Sequence, residues 1–119
     1  NTNQCWVSGF SFGAVICMQL LMRRPEITRF ISVSPQPNLY DFNFLAPCPA
    51  SGLIVHGKKD EIAPLDDVQK LAQKLQAQKN ITINYEEVSG ANHFYDNEIP
   101  KLKKVIENYI ETEFNSRYR

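Results

Sequence analysis

Two apolar runs, Cys5-Trp6-Val7 and Ala14-Val15-Ile16-Cys17-Met18, meet at the pentapeptide Gly9-Phe10-Ser11-Phe12-Gly13. A GxSxG segment between a short strand and a helix reads as a reversal so tight that its serine is driven into a strained backbone conformation. Glycine is expected at 9 and 13 because a side chain at either would collide with the neighbouring strand or helix. The turn exposes the Ser11 hydroxyl and puts the Phe12 N–H, at the helix start, where it can donate to an oxyanion.

Around that turn the pattern alternates. Residues 4 to 8 read as a strand, and residues 11 to 23 as a helix, apolar nearly all round and therefore expected to be buried. Arg23 and Arg24 suit its C-terminal dipole, and Pro25 stops it. Phe30 to Ser34 is a second strand. From Gln36 to Ser51 no helical or strand period is evident, and Tyr40, Phe42, Phe44 and Leu45 make this a loop with an apolar face. Leu53 to His56 is a continuous apolar strand ended by Gly57, as expected for a parallel strand covered on both sides. Val68, Leu71, Ala72 and Leu75 recur at helical spacing within a helix from about Leu65 to Gln78. Ile81 to Val88 alternates as an edge strand with one wet face. Leu102, Val105, Ile106, Tyr109 and Ile110 mark a last helix entered near Pro100, with a frayed tail from Asn115. The class is α/β, one domain over residues 1–119, with a four-stranded, mostly parallel sheet and flanking helices.

Composition removes several function classes. Thirteen basic and thirteen acidic residues cancel, so no long-range field draws nucleic acid or an anionic membrane. The apolar stretches fall far short of the roughly 18 residues of a membrane span, and no signal-peptide pattern is evident. Cys5, Cys17 and Cys48 have neither disulfide arithmetic nor zinc-ligand spacing. Cys5 and Cys17 are expected buried as small hydrophobes, and the set suggests a reduced, cytoplasmic protein. The first strand begins almost at Asn1, so an upstream segment is expected.

In a parallel sheet the reactive edge lies beyond the carboxyl ends of the strands. Ser11, Asp60 and His93 follow the first, third and fourth strands. Serine needs a base to take its proton, imidazole titrates near neutrality, and a buried carboxylate can fix the imidazole tautomer. For the base, His93 is preferred over His56, which sits at a strand end and is expected to be half-buried and hydrogen-bonded. For the acid, Asp60 competes with Asp66 and Asp67, suited to a helix first turn, and with Asp96, suited to an N-cap. Tyr40, Phe42 and Phe44 either floor an acyl pocket or pack the loop down, and Phe10 is a further candidate substrate contact.

Three segments carry a resemblance: Gly9-Phe10-Ser11-Phe12-Gly13, Val55-His56-Gly57-Lys58-Lys59-Asp60-Glu61-Ile62-Ala63-Pro64, and Gly90-Ala91-Asn92-His93-Phe94-Tyr95. In that order the chain resembles the C-terminal half of a small α/β-hydrolase of the dienelactone-hydrolase type, its strands equivalent to the last four of that fold. The resemblance implies Ser11 as nucleophile, His93 as base, Asp60 as acid and the Phe12 N–H as one oxyanion donor. It implies hydrolysis of a small carboxylic ester, thioester or lactone without metal or cofactor. Members of the family have strands before the elbow, so the strand near residues 4–8 is expected to be an open edge. It would pair with a complementing N-terminal half or with a second copy. The competing expectation is a catalytically silent fragment that survives through that edge.

Overall fold

The structure, a computed structural model, describes residues 4–45 and 47–117. The elements run β1 (Trp6–Phe10), α1 (Phe12–Arg23), β2 (Arg29–Val33), a short 3-10 turn (Asn43–Leu45), β3 (Ser51–Gly57), α2 (Leu65–Gln76), β4 (Ile83–Val88) and α3 (Ile99–Arg117). The strands lie in the order β1-β2-β3-β4, and every pairing is parallel. Phe10 pairs with Val33, Val33 with Val55, and Gly57 with Val88. All four C-terminal ends therefore finish along one edge of the sheet.

Alternation along the strands separates two cores. Phe30 and Ile54 face α1 and α2, packing with Val15, Met18, Leu21, Val68, Leu71 and Leu75. Ile31, Val33, Leu53 and Val55 face the other way, onto Tyr109, Leu102, Val105 and Ile106 of α3. Covered on both sides, β2 and β3 are almost wholly buried and read as continuous apolar runs. The Arg29 guanidinium pins α3 to the opposite end of the sheet, donating to the Tyr109 hydroxyl at 2.9 Å and pairing with Glu113 at 3.0 Å.

Several boundaries and exposures differ from the sequence reading. β1 sits two residues later than expected, directly abutting the turn. α1 is buried on one side only: Val15, Cys17, Met18 and Leu21 are inside, while Phe12, Ile16, Leu20 and Met22 are exposed. Its all-round apolarity reflects two faces, of which the described chain covers one. Cys5, expected to be buried, is exposed ahead of β1. α2 ends at Gln76, two residues early, because the Gln78 amide turns back to the apolar loop, accepting from the Cys48 N–H at 2.7 Å and donating to the Leu45 carbonyl at 3.2 Å. β4 begins at Ile83; Ile81 packs against the core from outside the strand. α3 continues as helix through Asn115 to Arg117 instead of fraying, and the expectation for 118–119 lies outside the described residues. Among the described residues β1 has a strand neighbour on one side only. No helix among them is long and apolar enough to cross a membrane.

Candidate functional site

Ser11 occupies the single-residue turn between β1 and α1, with φ 59° and ψ −118°. That conformation costs a side-chain-bearing residue about 1–3 kcal/mol. It is held by two backbone bonds, the Ser11 N–H donating to the Val33 carbonyl at 2.9 Å and the Ser11 carbonyl accepting from Ala14 at 3.0 Å. Of the two glycines, Gly9 behaves as the sequence reading requires, since a Cβ there would strike the Gly13 carbonyl and lie 2.8 Å from the Ala14 nitrogen. Gly13 does not: a Cβ would meet nothing within 4 Å. The close approach is one-sided, with the strand glycine supplying the space that the helix start occupies.

The three strand-end residues come together. The Asp60 carboxylate accepts from His93 Nδ1 at 2.7 Å, and His93 Nε2 lies 2.8 Å from Ser11 Oγ. A carboxylate only accepts, so the His93 proton sits on Nδ1 and the Nε2 lone pair faces the serine hydroxyl. His93 and Asp60 are buried, at 2% and 8% exposure, and Ser11 is half-buried. The other Asp60 oxygen accepts the Ile62 and Ala63 N–H groups, both at 2.8 Å, which closes the 57–63 turn around its own carboxylate. Asp66 and Asp67 lie in the first turn of α2 as expected. Asp96 caps no helix; its carboxylate accepts from the Asn92 amide at 2.9 Å.

The loops are fastened to one another. The Lys59 N–H donates to the Ala91 carbonyl at 2.9 Å and the Lys58 N–H to the Val88 carbonyl at 3.0 Å. Gly57 is glycine because the loop of His93 crosses directly over it, and a Cβ would stand 2.8 Å from the Asn92 carbonyl oxygen. Three supports escaped the sequence reading. Asn92 caps the His93 loop from within, its Oδ1 accepting from Phe94 at 3.0 Å and Asp96 at 3.1 Å; an asparagine opening a loop was a usable signal. Ser34, at φ 53°, donates from Oγ to the His93 carbonyl at 3.3 Å. Beside it lies the Tyr95 hydroxyl, fully buried and pushed up to about 12 by that burial. Nothing in sequence spacing joins Ser34 to Tyr95; the crossing of chain segments does.

The aromatic candidates divide. The Phe10 ring is 5.6 Å from the His93 ring and 6.2 Å from that of Phe94, and Phe12 is 5.4 Å from Tyr40, so both pairs flank Ser11. Phe42 is buried in the α1/α2 core and Phe44 packs against it, which places both in loop packing. A cleft of about 250 Å³ between Phe42 and α2 leaves out Ser11, Asp60 and His93. Among the described residues no group of His, Cys, Asp and Glu is placed to hold a metal.

The four parallel strands with their flanking helices match part of the α/β-hydrolase fold. No protein-family model matches the chain. A candidate α/β-hydrolase of unknown function from Agrobacterium tumefaciens is similar over 97% of this chain and 53% of its own, with 52% identity and a TM-score of 0.94. An α/β serine hydrolase homologue from Coxiella burnetii is similar over 88% of this chain and 48% of its own, at 25% identity and a TM-score of 0.73. An uncharacterized protein from Rickettsia prowazekii is 45% identical over 94% of this chain and 49% of its own length. The chain thus has the fold of the C-terminal half of an α/β-hydrolase and spans about half the length of the relatives it matches.

Proposed function

We propose that this chain carries the acyl-transfer machinery of a serine hydrolase acting on a small carboxylic ester, thioester or lactone. The observation that supports it most is the unbroken hydrogen-bonded series from Ser11 Oγ through His93 to Asp60. In this reading Ser11 Oγ attacks the substrate carbonyl carbon as its proton passes to His93 Nε2, and Asp60 stabilises the imidazolium. The carbonyl oxygen becomes an oxyanion and takes the Phe12 N–H. Collapse breaks the bond to the alkoxide or thiolate, which leaves with the proton from Nε2. Water then attacks the acyl-enzyme, giving its proton to Nε2, and the acid departs as Ser11 recovers its hydrogen. Phe10 and Tyr40 border the substrate from the two sides of Ser11. No metal or organic cofactor enters this sequence.

The relatives are about twice as long; α1 exposes Phe12, Ile16, Leu20 and Met22, and among the described residues β1 has a strand neighbour on one side only. A parallel strand from the remaining half of such a hydrolase, or from a second copy, completes that edge and the second oxyanion donor in this reading. Free Cys5, Cys17 and Cys48 fit a reducing, cytoplasmic setting. The test is pre-steady-state hydrolysis of 4-nitrophenyl acetate. A nitrophenol burst stoichiometric with protein, absent in Ser11→Ala, supports the acyl-enzyme; turnover that persists in Ser11→Ala refutes it.

A further inference from the structure

The second imidazole of the chain lies against the same carboxylate. His56, the penultimate residue of β3, is completely buried. Its Nε2 is 2.7 Å from the Ala63 carbonyl oxygen and 3.4 Å from Asp60 Oδ2. A carbonyl only accepts, so Nε2 carries the hydrogen, and Nδ1 is left as a buried lone pair without a partner among the described residues. The opposite tautomer would set a lone pair against the Ala63 oxygen and bury an unpaired N–H, so the contacts select one form.

We propose that His56 is a positioning residue for Asp60: with its proton on Nε2 it clamps the far end of the 57–63 turn through the Ala63 carbonyl and keeps the carboxylate aimed at His93. Ala63 transmits the hold. Its carbonyl is taken by His56 and its N–H by Asp60 Oδ1 at 2.8 Å, so one buried residue, through the two peptide groups on either side of its Cα, joins the imidazole to the carboxylate. The role needs a neutral ring, because an imidazolium at this distance would compete with His93 for Oδ2. Burial lowers the His56 pKa below its ordinary value, outweighing the Ala63 carbonyl and Asp60, which act the other way. The remaining charges that bear on it are His93, which lowers it further, and Glu87 of β4, which raises it. Glu87 is engaged elsewhere, accepting from Gln69 and from the Tyr85 hydroxyl.

The catalytic consequence rests on the serine-hydrolase reading; the structural claim does not, and two readouts separate them. Nitrogen-15 NMR of the imidazoles is expected to show His56 as the neutral Nε2–H tautomer at pH 7, with a low-field proton on His93 Nδ1. His56→Met, which keeps bulk and removes the donor, is expected to lose that His93 proton signal and to slow labelling by a fluorophosphonate 10- to 100-fold, with far-UV circular dichroism unchanged. His56→Gln, which can present an N–H where Nε2 was, restores the signal and brings labelling to within about threefold of the parent, because the bond to the Ala63 carbonyl is kept. A His56 proton on Nδ1, or a His56→Met protein with the parent's His93 signal, overturns the proposal. So does a folded His56→Gln as defective as His56→Met. If the parent protein takes no label, the hydrolase reading fails while the NMR signals still decide for or against the clamp. If His56→Met does not fold, the parent tautomer and the His56→Gln signals decide it.

Discussion

The two glycines flanking Ser11 should respond to alanine with opposite signs. At Gly9 the added methyl would strike the Gly13 carbonyl and crowd the Ala14 nitrogen, all backbone atoms that cannot rotate away. Overpacking of this kind costs about 1–3 kcal/mol, and rigid neighbours put Gly9→Ala near 3 kcal/mol. At Gly13 a Cβ enters open space within the first turn of α1, and no left-handed φ is involved. Alanine is then the better helix former by about 1 kcal/mol in a helix interior and about half that in a first turn, so Gly13→Ala should gain about 0.5 kcal/mol. The gap of about 3.5 kcal/mol corresponds to about 2 M in urea midpoint at a slope of roughly 1.5 kcal/mol per molar. Equilibrium urea unfolding with unchanged slopes is the assay. Equal midpoints for the two variants, or a lower midpoint for Gly13→Ala than for the parent, would refute a one-sided close approach.

Two further outcomes follow from the site. Because burial lowers the folded-state pKa of His56 below its unfolded value of 6.5, the unfolded chain binds the extra proton first as pH falls. His56 therefore leaves stability untouched above pH 6.5 and removes it below, by up to about 1.4 kcal/mol per pH unit, until its folded value is passed; chemical denaturation between pH 7.5 and 5 reads the slope, which should be shallower in His56→Gln and would count against the assignment if identical. Asp60→Asn keeps the shape but can offer His93 Nδ1 an amide N–H, favouring the wrong tautomer. Ester turnover should fall about 10⁴-fold with KM little changed, and a loss under tenfold would show that Asp60 does not orient His93.

Much of the architecture was legible because the periodicities are strong. The continuous apolar run Leu53–His56 announced a strand buried on both faces, and the i, i+3, i+4 spacing from Val68 to Leu75 announced α2. The meeting of Ser11, Asp60 and His93 could be anticipated because a parallel sheet collects its strand ends on one edge, whatever the loops do. What escaped depends on contacts distant in sequence. The early end of α2 is decided by the Gln78 amide reaching Leu45 and Cys48, and Phe42 is claimed by a core that no local pattern assigns it to. His56 was readable as a strand-end histidine, expected half-buried, but its complete burial arises because Ala63 folds back over it. α1 misled for the opposite reason: apolarity all round says that both faces want cover, not that the described chain supplies both.

The central claim is that Ser11 is an activated nucleophile, and intact-mass measurement after incubation with a fluorophosphonate tests it without requiring the right substrate. The account predicts a single adduct, formed as Ser11 Oγ displaces fluoride, that is abolished in Ser11→Ala and strongly slowed in His93→Gln. A folded protein that takes no adduct, or one whose adduct survives Ser11→Ala, would contradict it.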